Sequence, residues 1–189
     1  MKFSPTRIAD VVLIEPQRFA DARGWFMESF SAPKFVHGLA ELGLPAPAPF
    51  VQDNESQSAA GVLRGLHYQL PPHAQGKLVR VVQGSAFDVA VDIRRGSATF
   101  GQWTGAELSA LNLHQLWIPP GFAHGFMALQ DDTRFVYKTT AVYARECERA
   151  IRWDDPAIAI DWPTLNSGVQ PVLAPKDAVA PLLADAELF

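Results

Sequence analysis

Histidines, tyrosines and basic side chains stand in stretches that otherwise read as strand, and they are the residues that could do chemistry. Gly65-Leu66-His67-Tyr68-Gln69 puts His67 and Gln69 on one face, because strand side chains alternate with a period of two. Arg64, Lys77 and Arg80 lie close in sequence, so a basic pocket beside a proton-carrying imidazole is one reading. The other is ordinary solvated charges around a hydrogen-bonded barrel histidine, and composition alone favours it. Phe135 to Tyr143 read as one strand places Tyr137 and Tyr143 on the same face, as proton donors or, more simply, as barrel aromatics whose hydroxyls find partners. In Asp21-Ala22-Arg23-Gly24-Trp25-Phe26-Met27-Glu28, Arg23 falls on one face and Phe26 and Glu28 on the other unless Gly24 inserts a bulge. His37, His73 and His114 lie in or beside turns and helix ends and read as surface residues.

The elements that must hold these residues are mostly strands. From Gly61 to about Tyr143, runs at Leu78 to Val82, Phe87 to Ile93, Phe100 to Trp103, Leu116 to Ile118, Phe122 to Leu129 and Phe135 to Tyr143 are separated by turn residues. In the second run Phe87, Val89, Val91 and Ile93 share a face while Asp88 and Asp92 point away, the pattern of a half-buried strand. Many short strands at this spacing predict a mainly β sandwich or barrel. One helix is predicted between Ser31 and Gly43, with Pro33 in its first turn and Phe35, Val36, Leu39 and Leu42 on one face. After Ile151 the pattern weakens into a tail that should pack over the barrel, with a short last helix near Ala178 to Leu183. No repeat or linker divides the chain, so residues 1–189 read as one domain.

Pro119-Pro120-Gly121-Phe122-Ala123-His124 has the P-x-G-x-x-H spacing of the second cupin motif, a turn that delivers a histidine to a barrel interior. Metal-binding cupins draw two His and a Glu from a first motif, where this chain offers His67 followed by Gln69. A neutral amide is a poor transition-metal ligand and Lys77 would repel a cation, so no metal is expected. With 16 Lys and Arg against 20 Asp and Glu, a net charge of −4 creates no field for nucleic acid or an anionic membrane. No run of 18 apolar residues and no signal-peptide pattern is present, which predicts a cytoplasmic protein. Cys147 is the only cysteine, so an internal disulfide is excluded.

Taken in order, the motifs resemble one family. Asp21-x-Arg23-Gly24-x-Phe26-x-Glu28, Gln52-x-Asn54-x-Ser56, Leu63-Arg64-Gly65-Leu66-His67-Tyr68-Gln69 and Gln75-x-Lys77-Leu78-Val79-Arg80-Val81 look like the dTDP-4-dehydrorhamnose 3,5-epimerases. The likeness continues through Asp88 to Arg94, Gly121 to Phe126, Tyr137-Lys138-Thr139-Thr140, Ile151-x-Trp153-Asp154-Asp155-Pro156 and Lys176-Asp177. One departure stands out: the family commonly has Ser ahead of the final Lys-Asp where this chain reads Ala174-Pro175.

The resemblance implies a cupin jelly-roll homodimer with a few short peripheral helices and exchanged N-terminal strands. It would act without metal or nicotinamide on a 4-keto-6-deoxyhexose carried by dTDP. Inverting C3 and C5 beside a C4 ketone needs a base, a cation at the developing oxyanion and an acid on the opposite face. The resemblance assigns these to His67 oriented by Asp177, to Lys77 and to Tyr137. Arg23 and Arg64 would grip the diphosphate with forked contacts. Phe26, Glu28, Gln52, Asn54, Glu148 and Lys176 would complete the nucleotide and sugar contacts, with His124 toward the sugar. Tyr143, carried by the double epimerases, favours two inversions over C3-only or C5-only epimerisation. A 3,4-ketoisomerase of the same fold and a noncatalytic sugar-nucleotide-binding cupin are the further alternatives, and the latter has no need of His67 and Tyr137 together.

Overall fold

The computed structural model describes residues 1–164 and 170–189. The strands are β1 (Lys2–Pro5), β2 (Val12–Glu15), β3 (Arg18–Asp21), β4 (Gly24–Met27), β5 (Gln52–Ser58), β6 (Leu63–Gln69) and β7 (Lys77–Gln83). They continue as β8 (Ser85–Asp92), β9 (Trp103–Ser109), β10 (Gln115–Ile118), β11 (Phe122–Ala128), β12 (Thr133–Thr139) and β13 (Glu148–Ala150). Helices α1 (Ala32–Glu41) and α2 (Pro175–Ala178) are the two α segments among the described residues. Strands β1-β2-β10-β7-β12-β5 form one sheet and β13-β6-β11-β8-β9 a second, while β3 and β4 pair only with each other. This is the mainly β, jelly-roll sandwich that the turn spacing and the resemblance predict.

Parity decides what each strand gives to each layer. Val79 and Val81 of β7, Leu116 and Ile118 of β10 and Phe135 of β12 meet Ala86 and Ala90 of β8 and Phe122 and Phe126 of β11 in the core between the sheets. The alternate residues Leu78, Trp117, Val12 and Ile14 face outward and are covered by Phe35 and Leu39 of α1. On the other sheet Leu66, Tyr68, Val89, Val91 and Ala123 face outward under Ile158, Leu183 and Ala186 of the tail. Burying each large aliphatic side chain contributes about 1.5–3 kcal/mol, which explains why the tail packs over the barrel rather than extending it.

That cover corrects several expectations. Strand β8 is buried on both faces, not half-buried, and Asp88 and Asp92 are wholly enclosed. Asp92 tolerates this because Arg94, Ser97 and Thr99 all donate hydrogen bonds to it. The strand expected at 100–103 begins instead at Trp103, the preceding residues forming turns. Strand β12 ends at Thr139, where the hydroxyl donates to the Ala141 carbonyl at 2.8 Å, so strand parity does not align Tyr137 with Tyr143. The last helix lies at Pro175–Ala178, earlier than expected, with Pro175 starting it. In α1, Phe35 and Leu39 are buried but Val36 is exposed.

One close backbone approach aligns the interior. Gly65 has φ +141, and a Cβ there would lie 2.5 Å from Gly125 Cα, so only a glycine lets β6 and β11 come this near. The register shifts between His124 and Phe126 and leaves His67 directly opposite His124.

Candidate active site

At one end of the sandwich the two sheets part around a cavity of about 420 Å³. Strand β6 gives its wall His67 and Gln69, β7 Lys77, β11 His124, β12 Tyr137 and β13 Glu148, while Lys176 and Asp177 come from α2. Inward parity places Lys77 in the same row as Val79 and Val81, and Tyr137 in the same row as Phe135. Arg80 has the opposite parity and faces a separate outer groove, so it does not share a basic pocket with Lys77. The tail thus serves twice: it seals the outer sheet face and carries α2 to the cavity.

His67 Nε2 stands 2.7 Å from Asp177 Oδ1, and the Gly65 amide donates to Asp177 Oδ2 at 3.4 Å. Burial pushes the Asp177 carboxyl upward, but the hydrogen bond and charge of His67 outweigh it and hold Asp177 below the usual carboxylate range. An ionised Asp177 accepts a proton from Nε2–H, which leaves Nδ1 as the basic nitrogen of a neutral ring. The Ala174 departure does not displace this residue, because Ala174 and Pro175 still start the turn that aims Asp177 inward.

Lys77 is buried, with Nζ donating to the His67 carbonyl at 3.4 Å. Burial brings its pKa down to about 8, against the pull of Asp88 and Glu148. Tyr137 stands on the wall opposite His67, and burial raises its phenol, keeping it protonated at neutral pH. Tyr143 leaves its loop to donate from its hydroxyl to Glu148 Oε2 at 3.0 Å, and Lys176 Nζ donates to Glu148 Oε1 at 2.7 Å. Burial raises Glu148, yet these two donors overcome it and keep the carboxylate low. Tyr143, Glu148 and Lys176 therefore form one linked cluster on the rim. Arg64 also lines the cavity, anchored by Nε donating to Ser58 Oγ at 3.1 Å.

Other residues singled out from the sequence lie elsewhere within this chain. Arg23, Phe26 and Glu28 belong to the β3–β4 hairpin and its exit, away from the cavity wall. Arg23 pairs with Asp21 at 2.6 Å, Glu28 pairs with Lys34 at 2.8 Å, and Phe26 is 69% exposed. Gln52 and Asn54 of β5 are not part of the cavity wall, and Asn54 faces the outer groove that Arg80 lines. Gln52 Nε2 donates to Asn54 Oδ1 at 2.8 Å, and Gln52 Oε1 accepts from the Tyr143 amide at 2.9 Å, so the pair fixes the Tyr143 loop. Gln69 faces the cavity with His67 but spends its amide on the carbonyls of His73 and Val142 and on the Ala144 N–H, as scaffold. Asp88 is the interior residue that sequence reasoning assigned to the wrong environment. Its signal was a carboxylate alternating with apolar residues in a strand that turns out to have no solvent face. Among the described residues no three His, Cys, Asp or Glu side chains gather as metal ligands.

A jelly-roll cavity with a histidine–aspartate pair on one sheet, a protonated tyrosine on the other and a buried lysine between them defines an isomerase of the cupin class. It is equipped to move protons on carbon acids. The chain belongs to the dTDP-4-dehydrorhamnose 3,5-epimerase family, whose model matches residues 5–185. It is 52% identical over 189 residues to the dTDP-4-dehydrorhamnose 3,5-epimerase of Shigella flexneri, covering 100% of this chain and 99% of that protein. A dTDP-4-dehydrorhamnose 3-epimerase of Streptomyces niveus is 36% identical over 186 residues, 98% of this chain and 86% of that protein. Among solved structures, a dTDP-6-deoxy-D-glucose-3,5-epimerase from Legionella pneumophila Philadelphia 1 in complex with dTDP-4-keto-L-rhamnose superposes with a TM-score of 0.89. It is 50% identical and the match covers 97% of this chain and 93% of that chain.

Proposed function

We propose that this chain epimerises dTDP-4-dehydro-6-deoxy-D-glucose at C3 and C5, giving dTDP-4-dehydro-L-rhamnose, with residues 1–189 acting as one domain. The observation that carries the reading is the placement of His67–Asp177 and Tyr137 on opposing walls of one cavity beside Lys77. Inversion requires a proton to leave one face of a carbon and another to arrive on the opposite face, and a base and an acid on facing sheets meet that need.

His67 Nδ1 takes the proton from C3 or C5, and the bonding pair moves through the C4 carbonyl to give an enolate. Asp177 holds the resulting imidazolium, and the Lys77 ammonium faces the oxyanion. The Tyr137 hydroxyl delivers a proton to the opposite face of the carbon. Solvent then reprotonates the phenolate and removes the proton from His67, so each inversion brings one solvent hydrogen into the sugar. Arg64 and Lys176 supply cations for the diphosphate, and Tyr143 with Glu148 holds the sugar between the two inversions. The greater identity to the double epimerase than to the 3-epimerase supports two inversions over one.

The exposed hairpin supports a composite site. Phe19, Trp25 and Phe26 are more than half exposed on a two-stranded ribbon paired only with itself. Such an apolar ribbon gains by burial against a second copy of the chain. In a strand-exchanged homodimer Arg23, Phe26 and Glu28 would complete the partner's nucleotide site. A cytoplasmic address and a place in the synthesis of dTDP-L-rhamnose for surface polysaccharide go with this reading; no helix among the described residues is long and apolar enough to cross a membrane.

Product stereochemistry tests the proposal. The sugar product is trapped by borohydride and its configuration determined. Inversion at both centres supports the double epimerase, inversion at C3 alone gives a single-site enzyme, and tight binding without inversion leaves a binding protein.

A further inference from the structure

Behind the catalytic wall lies a buried carboxylate that the mechanism above does not use. Asp88, on the interior face of β8, is fully enclosed, and His124 Nε2 stands 2.7 Å from its Oδ1. Its other oxygen, Oδ2, is buried without a hydrogen-bond partner among the described residues. Lys77 lies in the same enclosure, its Nζ donating to the His67 carbonyl at 3.4 Å, its one hydrogen bond among the described residues. An orphaned buried carboxylate oxygen is costly when no favourable field offsets it, so its retention here calls for a task.

We propose that Asp88 is a positioning residue for the epimerisation: its carboxylate is the buried counter-charge that keeps the Lys77 ammonium protonated, and it fixes His124 as the neutral Nε2–H tautomer with Nδ1 left as an acceptor. This deepens the proposed function and rests on it, because the value of a charged Lys77 is its contact with the enolate oxygen. The charge count favours the assignment. Lys77 positive, Asp88 negative and His124 neutral give an enclosure with no net charge, whereas a neutral Asp88 would bury the ammonium alone and an imidazolium at His124 would set two cations together. Burial works against charge on His124, with Lys77 adding to that and Asp88 opposing it. Burial also raises Asp88 while His124 and Lys77 pull it back.

Other charges face Lys77 as well. Glu148 of β13 adds a second negative field, backed by Lys176, and His67 of β6 is backed by Asp177. Tyr137 of β12 is raised by burial and stays neutral at the pH where Lys77 titrates. Glu148 is tied up by Lys176 and Tyr143, whereas Asp88 has a free oxygen and full burial, so its field is the less screened of the two.

Asp88→Asn keeps the shape and removes the charge. In the wild type kcat/KM should fall as pH rises through about 8, where Lys77 loses its proton. In the variant that alkaline midpoint should move down by about one unit, equivalent to a tenfold change in the proton affinity of Lys77, while activity near pH 6.5 falls less than about threefold. A purely structural role would scale activity down at every pH without moving the limb. In parallel, 15N-histidine NMR of the wild-type protein, with His124 assigned through His124→Gln, should show protonated Nε2 and unprotonated Nδ1 from pH 6 to 8. An unmoved alkaline limb in folded Asp88→Asn overturns the proposal, as does a wild-type His124 that is an imidazolium or the Nδ1–H tautomer over that range. The NMR result stands if the variant does not fold, and it separates failure here from a wild-type enzyme that does not epimerise.

Discussion

Replacing Asp177 by Asn tests the base most sharply, because it removes one charge and almost no volume. Asp177 is buried and its Oδ1 is 2.7 Å from His67 Nε2. When His67 takes a proton from carbon, a full positive charge forms on a ring whose nearest counter-charge is that carboxylate. Two unit charges about 4 Å apart interact by about 4 kcal/mol at the effective dielectric of a protein site. The Asn dipole recovers part of this, leaving about 3 kcal/mol and a fall in kcat of about 10²-fold. An Asn amide that donates to Nε2 would also force the proton onto Nδ1 and remove the base, which adds to the loss. KM should change less than about threefold, because Asp177 touches the ring rather than the diphosphate. Initial rates of deuterium uptake into the 4-keto sugar, measured by NMR in deuterated buffer over a range of substrate, separate the two parameters. A folded Asp177→Asn enzyme with kcat within threefold of wild type, or with its loss confined to KM, would refute the pairing as a catalytic device.

Four other outcomes are expected. Tyr137→Phe should slow product formation by about 10²–10⁴-fold, the typical contribution of one general acid, while proton abstraction stays detectable as exchange; unaltered turnover would assign the acid elsewhere. Tyr143→Phe removes the hydroxyl that donates to Glu148 and should release several-fold more singly inverted sugar, with unchanged product ratios counting against its role. Arg23→Ala and His67→Ala chains, each inactive, should regain about a quarter of wild-type activity when unfolded and refolded together, because half of the dimers are mixed and each mixed dimer has one intact composite site. No recovery would place Arg23 in its own subunit's site, and an Arg23→Ala chain that is active alone would place it outside any site. Activity should survive thorough chelation, whereas loss reversed by a stoichiometric divalent ion would revive a metal-dependent mechanism.

The fold was legible wherever apolar and polar residues alternate or one side chain is special. The alternation in β8 and the turns around it located the sheets, and Ser31, Pro33 and Gly43 framed α1. Misreadings came from long-range cover. Nothing local tells that the tail covers the Val89 and Val91 face of β8 while the opposite sheet covers the other, so Asp88 looked solvent-facing, and nothing local says that Thr139 ends β12, so Tyr143 was aligned by a parity that does not exist. Tyr143 still reaches the cavity, through the hydrogen bond of its amide to Gln52. Spacing alone left His67, Lys77 and Tyr137 as ordinary barrel residues, because their meeting depends on two sheets facing one another; the ordered motifs singled them out. Asp177 is 110 residues from His67 and was legible only through that resemblance. Arg23, Phe26 and Glu28 illustrate the remaining gap, since the shared site proposed for them would leave no trace in the parity of one strand.

The proposed mechanism has one base, His67, serve both C3 and C5 from one face of the sugar while an acid answers from the other. Its most direct measurement is the count of deuterium at each carbon after complete turnover in deuterated water, for wild type and His67→Ala side by side. Deuterium is expected at both C3 and C5 in the wild-type product and at neither position with the variant, over times in which uncatalysed exchange is negligible. Deuterium at a single position in the wild type, or rapid exchange surviving in His67→Ala, would contradict it.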